Sequence, residues 1–188
     1  FKADTYESIA SGISLNPILN SFQRVVNTCK IPGELIDVFF NSMEMDLEQH
    51  FYTRSLFNQY VLGSAEAVGL MCLKVFCEGD EAMYERLKEP AMKLGSAFQK
   101  INFLRDVKAD KQNLGRNYFP DVDLDKFTVA DKVKIEKEIQ LELKQALIGI
   151  KMLPPSSRRG VYLAYKYYLL LFKKIKNAAP QQILNERI

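Results

Sequence analysis

The sequence predicts an all-α fold, a bundle of helices. Apolar residues recur at helical spacing along most of the 188 residues, and no stretch alternates apolar and polar residues convincingly as a strand does. Proline, glycine and capping residues divide this pattern into segments of helical length, without a linker long enough to separate two domains. We therefore expect residues 1–188 to form a single helical domain with a buried core.

Capping residues predict the first three helices. Asn16 and Pro17 are an N-cap and first-turn pair, which begins a helix that runs to about residue 29. Pro32 begins the next helix, which runs to about residue 49. Thr53 or Ser55 begins a long apolar helix that ends near residue 77.

The second half of the chain is divided by equally clear breaks. Gly79 and Asp80 end the long helix and cap the following segment. Pro90 marks a kink or the start of a new helix, which runs to about residue 113. Thr128 and Asp131 have the spacing of a capping box and begin a helix to about residue 152. Two prolines interrupt the chain before a final helix to about residue 177.

The helix that ends near residue 113 carries a stripe of polar side chains. Its members are Gln99, Asn102, Asp106 and Asp110. Their spacing of three, four and four residues places them on one helix face, beside a broad apolar face. Buried polar groups need a partner, and oxygen ligands of this kind suit Mg²⁺, which in turn suits a phosphorylated substrate. The alternative is a solvated helix face, which is the usual explanation of an isolated aspartate pair.

Composition argues against several other classes of protein. The net charge is only +3 and the basic residues form no stripe, so we expect no nucleic-acid partner. One histidine leaves little for imidazole metal sites or catalytic triads. Three scattered cysteines suit neither a disulfide framework nor a zinc site, which fits an intracellular, cytoplasmic protein.

No apolar run is long enough to span a bilayer. The longest, near the end of the chain, includes Leu170 and Phe172 and is followed by Lys173, Lys174 and Lys176. It is either a buried helix whose last turn carries cations that complement the helix dipole, or a peripheral contact with a membrane surface.

The segment from Gln99 to Pro120, QKINFLRDVKADKQNLGRNYFP, resembles the second aspartate-rich motif of the squalene/phytoene synthase family. The family pattern is Gln-x-x-Asn-x-x-Arg-Asp-x-x-x-Asp, followed by Gly-Arg-x-Tyr-x-Pro. Residues 60–71 resemble the family's Tyr-x-x-x-x-Ala-x-x-Val-Gly segment, and Ala164-x-x-x-Tyr168 is a weaker match. The resemblance covers nearly the whole chain and implies an isoprenoid-synthase type of helical bundle with a central cavity.

One feature of the family is not found in the sequence. Family enzymes carry two aspartate-rich motifs on facing helices, and here the stretch from Met43 to Asp46 lacks the spacing of paired carboxylates. We therefore expect the chain to be a truncated part of a longer synthase domain and to be inactive alone. An exposed apolar groove would then favour self-association, although the sequence leaves the oligomeric state open.

The resemblance implies head-to-head condensation of two prenyl diphosphates with Mg²⁺, or with Mn²⁺ in its place. The preferred reaction joins two molecules of geranylgeranyl diphosphate to phytoene, a step of carotenoid biosynthesis. The alternative is squalene or dehydrosqualene formation from farnesyl diphosphate, with NADPH required only for squalene. A non-catalytic scaffold or assembly protein is the alternative of another class, and the intact pair Asp106 and Asp110 favours the enzyme.

The resemblance also implies roles for individual residues. Asp106 and Asp110 are expected to bind the metal and to act in catalysis, together with Tyr60 and Tyr168. The expected substrate-binding residues are Gln99, Asn102, Arg105, Arg116, Tyr118, Ser64 and Gly69. The segment 115–118 is expected to fold back over the mouth of the cavity.

Small residues in the middle of the long helix have two explanations. Gly63, Ser64 and Gly69 belong to this group, and a glycine inside a helix costs about 1 kcal/mol relative to alanine. Something therefore approaches the backbone closely at this point. It is either a tightly packed neighbouring helix or an isoprenoid tail inside the bundle, and the family resemblance favours the tail.

Overall fold

The computed structural model describes residues 1–48, 51–120 and 122–188, and nearly all regular structure in these ranges is helical. The helices are α1 (Lys2–Ser11), α2 (Pro17–Cys29), α3 (Gly33–Glu48), α4 (Arg54–Val61), α5 (Ala67–Phe76), α6 (Glu81–Leu114), α7 (Val129–Met152), α8 (Pro155–Asn177) and α9 (Pro180–Asn185). These ranges contain no strand, only an isolated bridge between Phe51 and Asn117. The predicted all-α class is therefore confirmed.

The predicted capping residues start their helices as expected. Asn16 accepts hydrogen bonds from the first turn of α2, and Asp80 accepts one from Met83 N of α6 at 2.8 Å. Thr128 and Asp131 form the full capping box of α7. Helices α1 and α9 were not predicted, because α1 has no capping side chain and α9 contains only six residues.

Pro90 does not begin a new helix. Helix α6 runs through it for 34 residues, a length of about 50 Å. The proline ring lies against Gly149 of α7, where an added Cβ would be 2.3 Å from Pro90 Cβ. The missing side chain at Gly149 thus leaves room for the ring, and packing outweighs the local tendency of proline to end a helix. Helix α6 is the central element and contacts α5, α7, α8 and α9.

The predicted long helix is continuous but contains a π-helical segment, Leu62–Glu66, between α4 and α5. The backbone stays right-handed through both junctions, at Leu62 and at Ala67. A π turn changes the hydrogen-bond ladder and leaves carbonyl groups to be satisfied by side chains. Ser64 Oγ donates to the Tyr60 carbonyl at 2.6 Å, and the buried Ser42 Oγ of α3 lies 3.3 Å from the same oxygen.

Glycines let the π segment approach two neighbouring helices. A Cβ added to Gly63 would lie 1.8 Å from Ser42 Oγ and 2.2 Å from the carbonyl oxygen of Val38, both in α3. A Cβ added to Gly95 of α6 would lie 2.5 Å from the carbonyl oxygen of Ala65. Tight helix packing therefore explains Gly63.

Within the described ranges, every helix falls short of the length and apolar character that a bilayer crossing requires. The apolar run near the end of α8 is divided between core and surface. Phe172 is buried at 3% exposure, whereas Leu170 is 64% exposed.

The contact at Gly63 leads to a stability prediction. We expect Gly63→Ala to lower the free energy of unfolding by about 2 kcal/mol or more, because the new methyl group collides with backbone as well as side-chain atoms. Urea denaturation followed by circular dichroism measures this change.

Gly160→Ala is the matched control. It lies in α8 with nothing within 4 Å of an added Cβ, so we expect it to raise stability by about 0.5 to 1 kcal/mol. Equal effects of the two substitutions would contradict the proposed close approach.

Candidate active site

An apolar cavity of about 360 Å³ lies between the π segment, α5, α6, α7 and α8. Its walls include Val68, Gly69, Phe76, Leu87, Leu94, Phe98 and Ile150. Gly69 faces α6, where an added Cβ would be 3.1 Å from the carbonyl oxygen of Ala91. The lining becomes polar at Ser64 and Gln99, two of the residues predicted to bind substrate.

A chain of hydrogen bonds joins five of the predicted site residues. Tyr168 Oη donates to Asn102 Oδ1 at 3.2 Å, and Asn102 Nδ2 donates to Gln99 Oε1 at 3.5 Å. Gln99 Nε2 donates to Ser64 Oγ at 3.3 Å. Ser64 in turn donates to the carbonyl of Tyr60. Side chains from α8, α6 and the π segment thus meet in one row beside the cavity.

The phenol of Tyr60 belongs to a second polar group, centred on Asp46 of α3. Tyr60 Oη donates to Asp46 Oδ2 at 3.2 Å. Arg116 Nη1 donates to Asp46 Oδ1 and to Tyr118 Oη, both at 3.1 Å, and Nη2 donates to the carbonyl of Asp46. Burial, followed by the charges of Tyr118 and Asp46, raises the pKa of Tyr60, so its phenol stays protonated and donates.

The sequence analysis missed Asp46. It set aside Met43 to Asp46 because this stretch does not itself have the spacing of paired carboxylates. The arginine that pairs with Asp46, Arg116, is 70 residues away, and no local sequence pattern indicates such a contact.

Asp106 is held by two arginines. Arg105 Nε donates to both carboxylate oxygens at 3.1 Å, and Nη2 also donates to Oδ2. Arg187, which the sequence analysis did not single out, donates to Asp106 Oδ1 at 2.8 Å. Burial alone would raise the pKa of Asp106, but the hydrogen bonds and charges of Arg105 and Arg187 outweigh it and lower that pKa.

Asp110 has the opposite electrostatic environment. Burial, the charge of Asp106 and the charge of Asp46 raise its pKa to about 6, against the opposing charges of Arg116 and Arg105. No side chain in the described part of the protein donates a hydrogen bond to this carboxylate. Asp110 is therefore the site carboxylate with the least compensating positive charge.

The segment after α6 folds back, but onto α3 and the core. Gly115 has a left-handed backbone with φ of 62°, which ends α6 and turns the chain. The Tyr118 ring is buried and stacks on Phe103, with centroids 4.2 Å apart. Among the described residues, those of this segment do not line the cavity, so the expected lid is wrong in this structure.

The predicted residues fall into two adjacent compartments. Gln99, Ser64 and Gly69 line the cavity, whereas Asp106 and Asp110 lie seven and eleven residues beyond Gln99 on α6, about 10 and 16 Å along its axis. Over the ranges described, no three acidic, histidine or cysteine side chains converge as a ready set of metal ligands.

Comparison with known proteins identifies the family and the fold of the chain. The family model for squalene/phytoene synthases matches residues 2–188. The chain is 30% identical, over an alignment of 174 residues, to the bifunctional lycopene cyclase/phytoene synthase of Phycomyces blakesleeanus. That match covers 79% of this chain and 28% of the relative, so the chain spans little more than a quarter of the relative's length.

A solved structure has the same fold. The squalene synthase HpnC from Alicyclobacillus acidocaldarius superposes with a TM-score of 0.77 over 98% of this chain and 73% of that one, at 21% identity. The fold is therefore the isoprenoid-synthase type of helical bundle, as predicted. Because the family model spans almost every residue, the chain belongs to the squalene/phytoene synthase family.

Proposed function

We propose that the protein containing this chain joins two prenyl diphosphates head to head, and that this chain supplies the tail cavity and one metal-binding wall. One observation carries the proposal. An apolar cavity ends at Ser64 and Gln99, and the polar stripe of α6 continues from there through Asn102 to the two aspartates. A ligand with an apolar tail and a charged diphosphate would need these two surfaces in this order.

The preferred substrate is geranylgeranyl diphosphate, with phytoene as the product. The name of the Phycomyces relative includes phytoene synthase, which supports this choice. The alternative is farnesyl diphosphate and a squalene-type product, with NADPH for squalene itself. The structural neighbour HpnC is named a squalene synthase, which supports this alternative.

The residues present fit a divalent cation. Asp106 and Asp110 lie one turn apart on one face of α6, and the raised pKa of Asp110 marks a carboxylate that lacks positive charge. Asp106, Asp110 and Asn102 would hold Mg²⁺. When bound, Mg²⁺ would neutralise the negative charge that develops on a departing diphosphate.

Arginine side chains, apolar walls and aromatic rings of the protein would bind the diphosphate, exclude water and stabilise a carbocation. Arg105 and Arg116 hold carboxylates in this structure, and their planar groups would turn to phosphate oxygens when substrate enters. The cavity's apolar walls would exclude water. Phe98 lines the cavity and stacks on Tyr168, with ring centroids 3.7 Å apart, so aromatic faces are available to a cationic carbon.

Asp110 leads to a prediction about pH. Its carboxyl group ionises near pH 4 in the unfolded chain and near pH 6 when folded. Between these values the folded state binds more protons, so the free energy of unfolding decreases as pH rises from 4 to 6 and then levels off. The substitution Asp110→Asn removes the ionisable group and with it this pH-dependent decrease in the free energy of unfolding. We expect the stability difference between variant and wild type to shift by about 1 kcal/mol in favour of the variant from pH 4 to pH 7.5, after allowing for solvent screening.

Denaturation at the two pH values measures this shift, and carboxyl ¹³C NMR gives the pKa of Asp110 directly. A pKa near 4, with a stability difference that does not change with pH, would show that Asp110 is not short of positive charge.

The function itself is tested by Mg²⁺-dependent binding. We expect the chain to bind geranylgeranyl thiodiphosphate, an analogue that does not react, more tightly when Mg²⁺ is present. Asp110→Asn should reduce the Mg²⁺-dependent part of the affinity at least about tenfold, because a metal ligand is lost. Calorimetric titration measures both values. Glu85→Gln, on the exposed surface of the same helix, is the matched control and should bind as the wild type does.

Turnover distinguishes the substrates. Labelled geranylgeranyl and farnesyl diphosphates are incubated with Mg²⁺ and the protein that contains this chain, and the hydrocarbon products are separated by length. We expect the 188-residue chain by itself to bind without turnover, since its described residues offer one aspartate pair. Head-to-head product from the chain alone would refute this expectation, and Mg²⁺-independent binding would refute the metal site.

A further inference from the structure

The outer face of α7 carries lysines and large apolar side chains in alternation. Lys137, Lys144 and Lys151 recur at intervals of seven residues, which places them on one face of the helix, and all three are exposed. Leu141 and Ile148 lie between them on the same face, with 59% and 63% of their surface exposed. These five residues form a continuous surface, the α7 stripe, in which charge and apolar area alternate turn by turn.

The other charged residues of α7 lie away from the stripe. The carboxylates are Asp131, which caps the helix, Glu136, which pairs with Lys132, and Glu138 and Glu142, which both pair with Lys100 of α6. Lys134 lines a small pocket together with Glu138. The sequence analysis found no basic stripe, because these carboxylates alternate with the lysines along the chain. The helix turns the two sets of charges toward different sides.

Neighbouring helices do not neutralise the stripe lysines. Helix α7 makes its main contacts with α6 and α8, and α8 contains six basic residues and no acidic residue. On α6, the carboxylates of Glu81, Glu85 and Asp106 pair with other cations. Among the residues that the structure describes, no carboxylate forms an ion pair with Lys137, Lys144 or Lys151. The stripe therefore presents uncompensated positive charge.

The stripe faces away from the apolar cavity. Ala146, Gly149 and Ile150 line the cavity from the opposite side of α7. Lys144, Ile148 and Lys151 belong to the same turns of the helix and point outward. The stripe and the cavity are thus separated by α7 alone, whose diameter is about 10 Å.

We propose that the α7 stripe docks the protein on the surface of an anionic phospholipid bilayer. Helix α7, with its 24 residues, lies in the plane of the membrane. Leu141 and Ile148 enter the boundary between headgroups and acyl chains, and the three ammonium groups reach the lipid phosphates on their flexible stems. The positive charge of the stripe complements the negative potential of such a surface.

The composition of the stripe favours lipid over a macromolecule. Lysine is depleted at protein–protein interfaces, whereas here it takes three of five positions. A nucleic acid would pair its phosphates with the lysines but would leave the two aliphatic side chains without a partner. The docking does not depend on the proposed reaction, although prenyl substrates and hydrocarbon products are themselves lipids.

Sedimentation with lipid vesicles tests the proposal. We expect the purified protein to bind vesicles that contain phosphatidylserine at least about tenfold more tightly than vesicles of phosphatidylcholine alone, and less tightly at high salt. Lys137→Gln combined with Lys144→Gln should lower the affinity for the anionic vesicles about thirtyfold, at about fivefold for each lysine. Leu141→Gln combined with Ile148→Gln should lower it at least about tenfold, because the inserted apolar area is lost.

Arg24→Gln combined with Lys30→Gln is the matched control. Arg24 lies on α2 and Lys30 caps its C-terminal end, and both are exposed. Their removal changes the net charge as much as the α7 lysine variant does, so the affinity should fall less than about threefold if the position of the charge decides. Circular dichroism shows that each variant keeps its helical content.

Several outcomes would overturn the membrane docking. They include equal binding of the wild type to both kinds of vesicle, binding to neither, and equal losses in the α2 and α7 lysine variants. Duplex DNA that binds more tightly than the anionic vesicles, with no loss in the Leu141 and Ile148 variant, would assign the stripe to nucleic acid. A wild-type dimer that this variant dissociates would assign it to a second copy of the chain. None of these outcomes bears on the proposed reaction.

Discussion

The structure depends on the close approach of the π segment to α3 and α6. Gly63 and Gly95 let the backbone of the π segment approach α3 and α6 closely, with only the small side chain of Ser42 at the contact with α3. This contact aims Ser64 at Gln99 and holds the Tyr60 carbonyl beside Ser42. The row of hydrogen bonds from Tyr168 to Tyr60 and the cavity both include residues of this closely packed segment, which is where the small residues of the chain are concentrated.

Electrostatic balance differs between the three aspartates of the candidate site. Asp46 and Asp106 are each paired with arginine, whereas Asp110 is left with a raised pKa and no described donor. Under the proposed function, these arginines would lie close to the bound diphosphate, and Asp110 would be the carboxylate that favours a metal ion. Arginine stays charged at physiological pH. An arginine that left its aspartate to bind a phosphate group would therefore need no proton transfer.

Local patterns predicted the helices from α2 to α8 and the polar stripe, but they could not predict contacts between residues far apart in the sequence. The spacing of Gln99, Asn102 and Asp106 is a local property, and so are the caps at Asn16 and Thr128. Asp46 and Arg187 enter the site through partners 70 and 81 residues away, which no periodicity reveals. Pro90 was predicted to kink or begin a helix, but the helix continues through it. The space for its ring is provided by Gly149 on another helix, which the local sequence around Pro90 does not show. The family resemblance supplied the roles of the site residues, and these roles stay predictions.

The row of hydrogen bonds from Tyr168 to the π segment has a direction. The carbonyl of Tyr60 can only accept, so Ser64 must donate to it, and each amide further along must present its oxygen toward Tyr168. The phenol proton of Tyr168 is thereby committed to Asn102. The Tyr168 oxygen can then only accept a further hydrogen bond. Any ligand group that binds to it must therefore be a hydrogen-bond donor. The Tyr60 carbonyl in the π segment thus determines, through Ser64, Gln99 and Asn102, that the Tyr168 oxygen can bind a hydrogen-bond donor but not an acceptor.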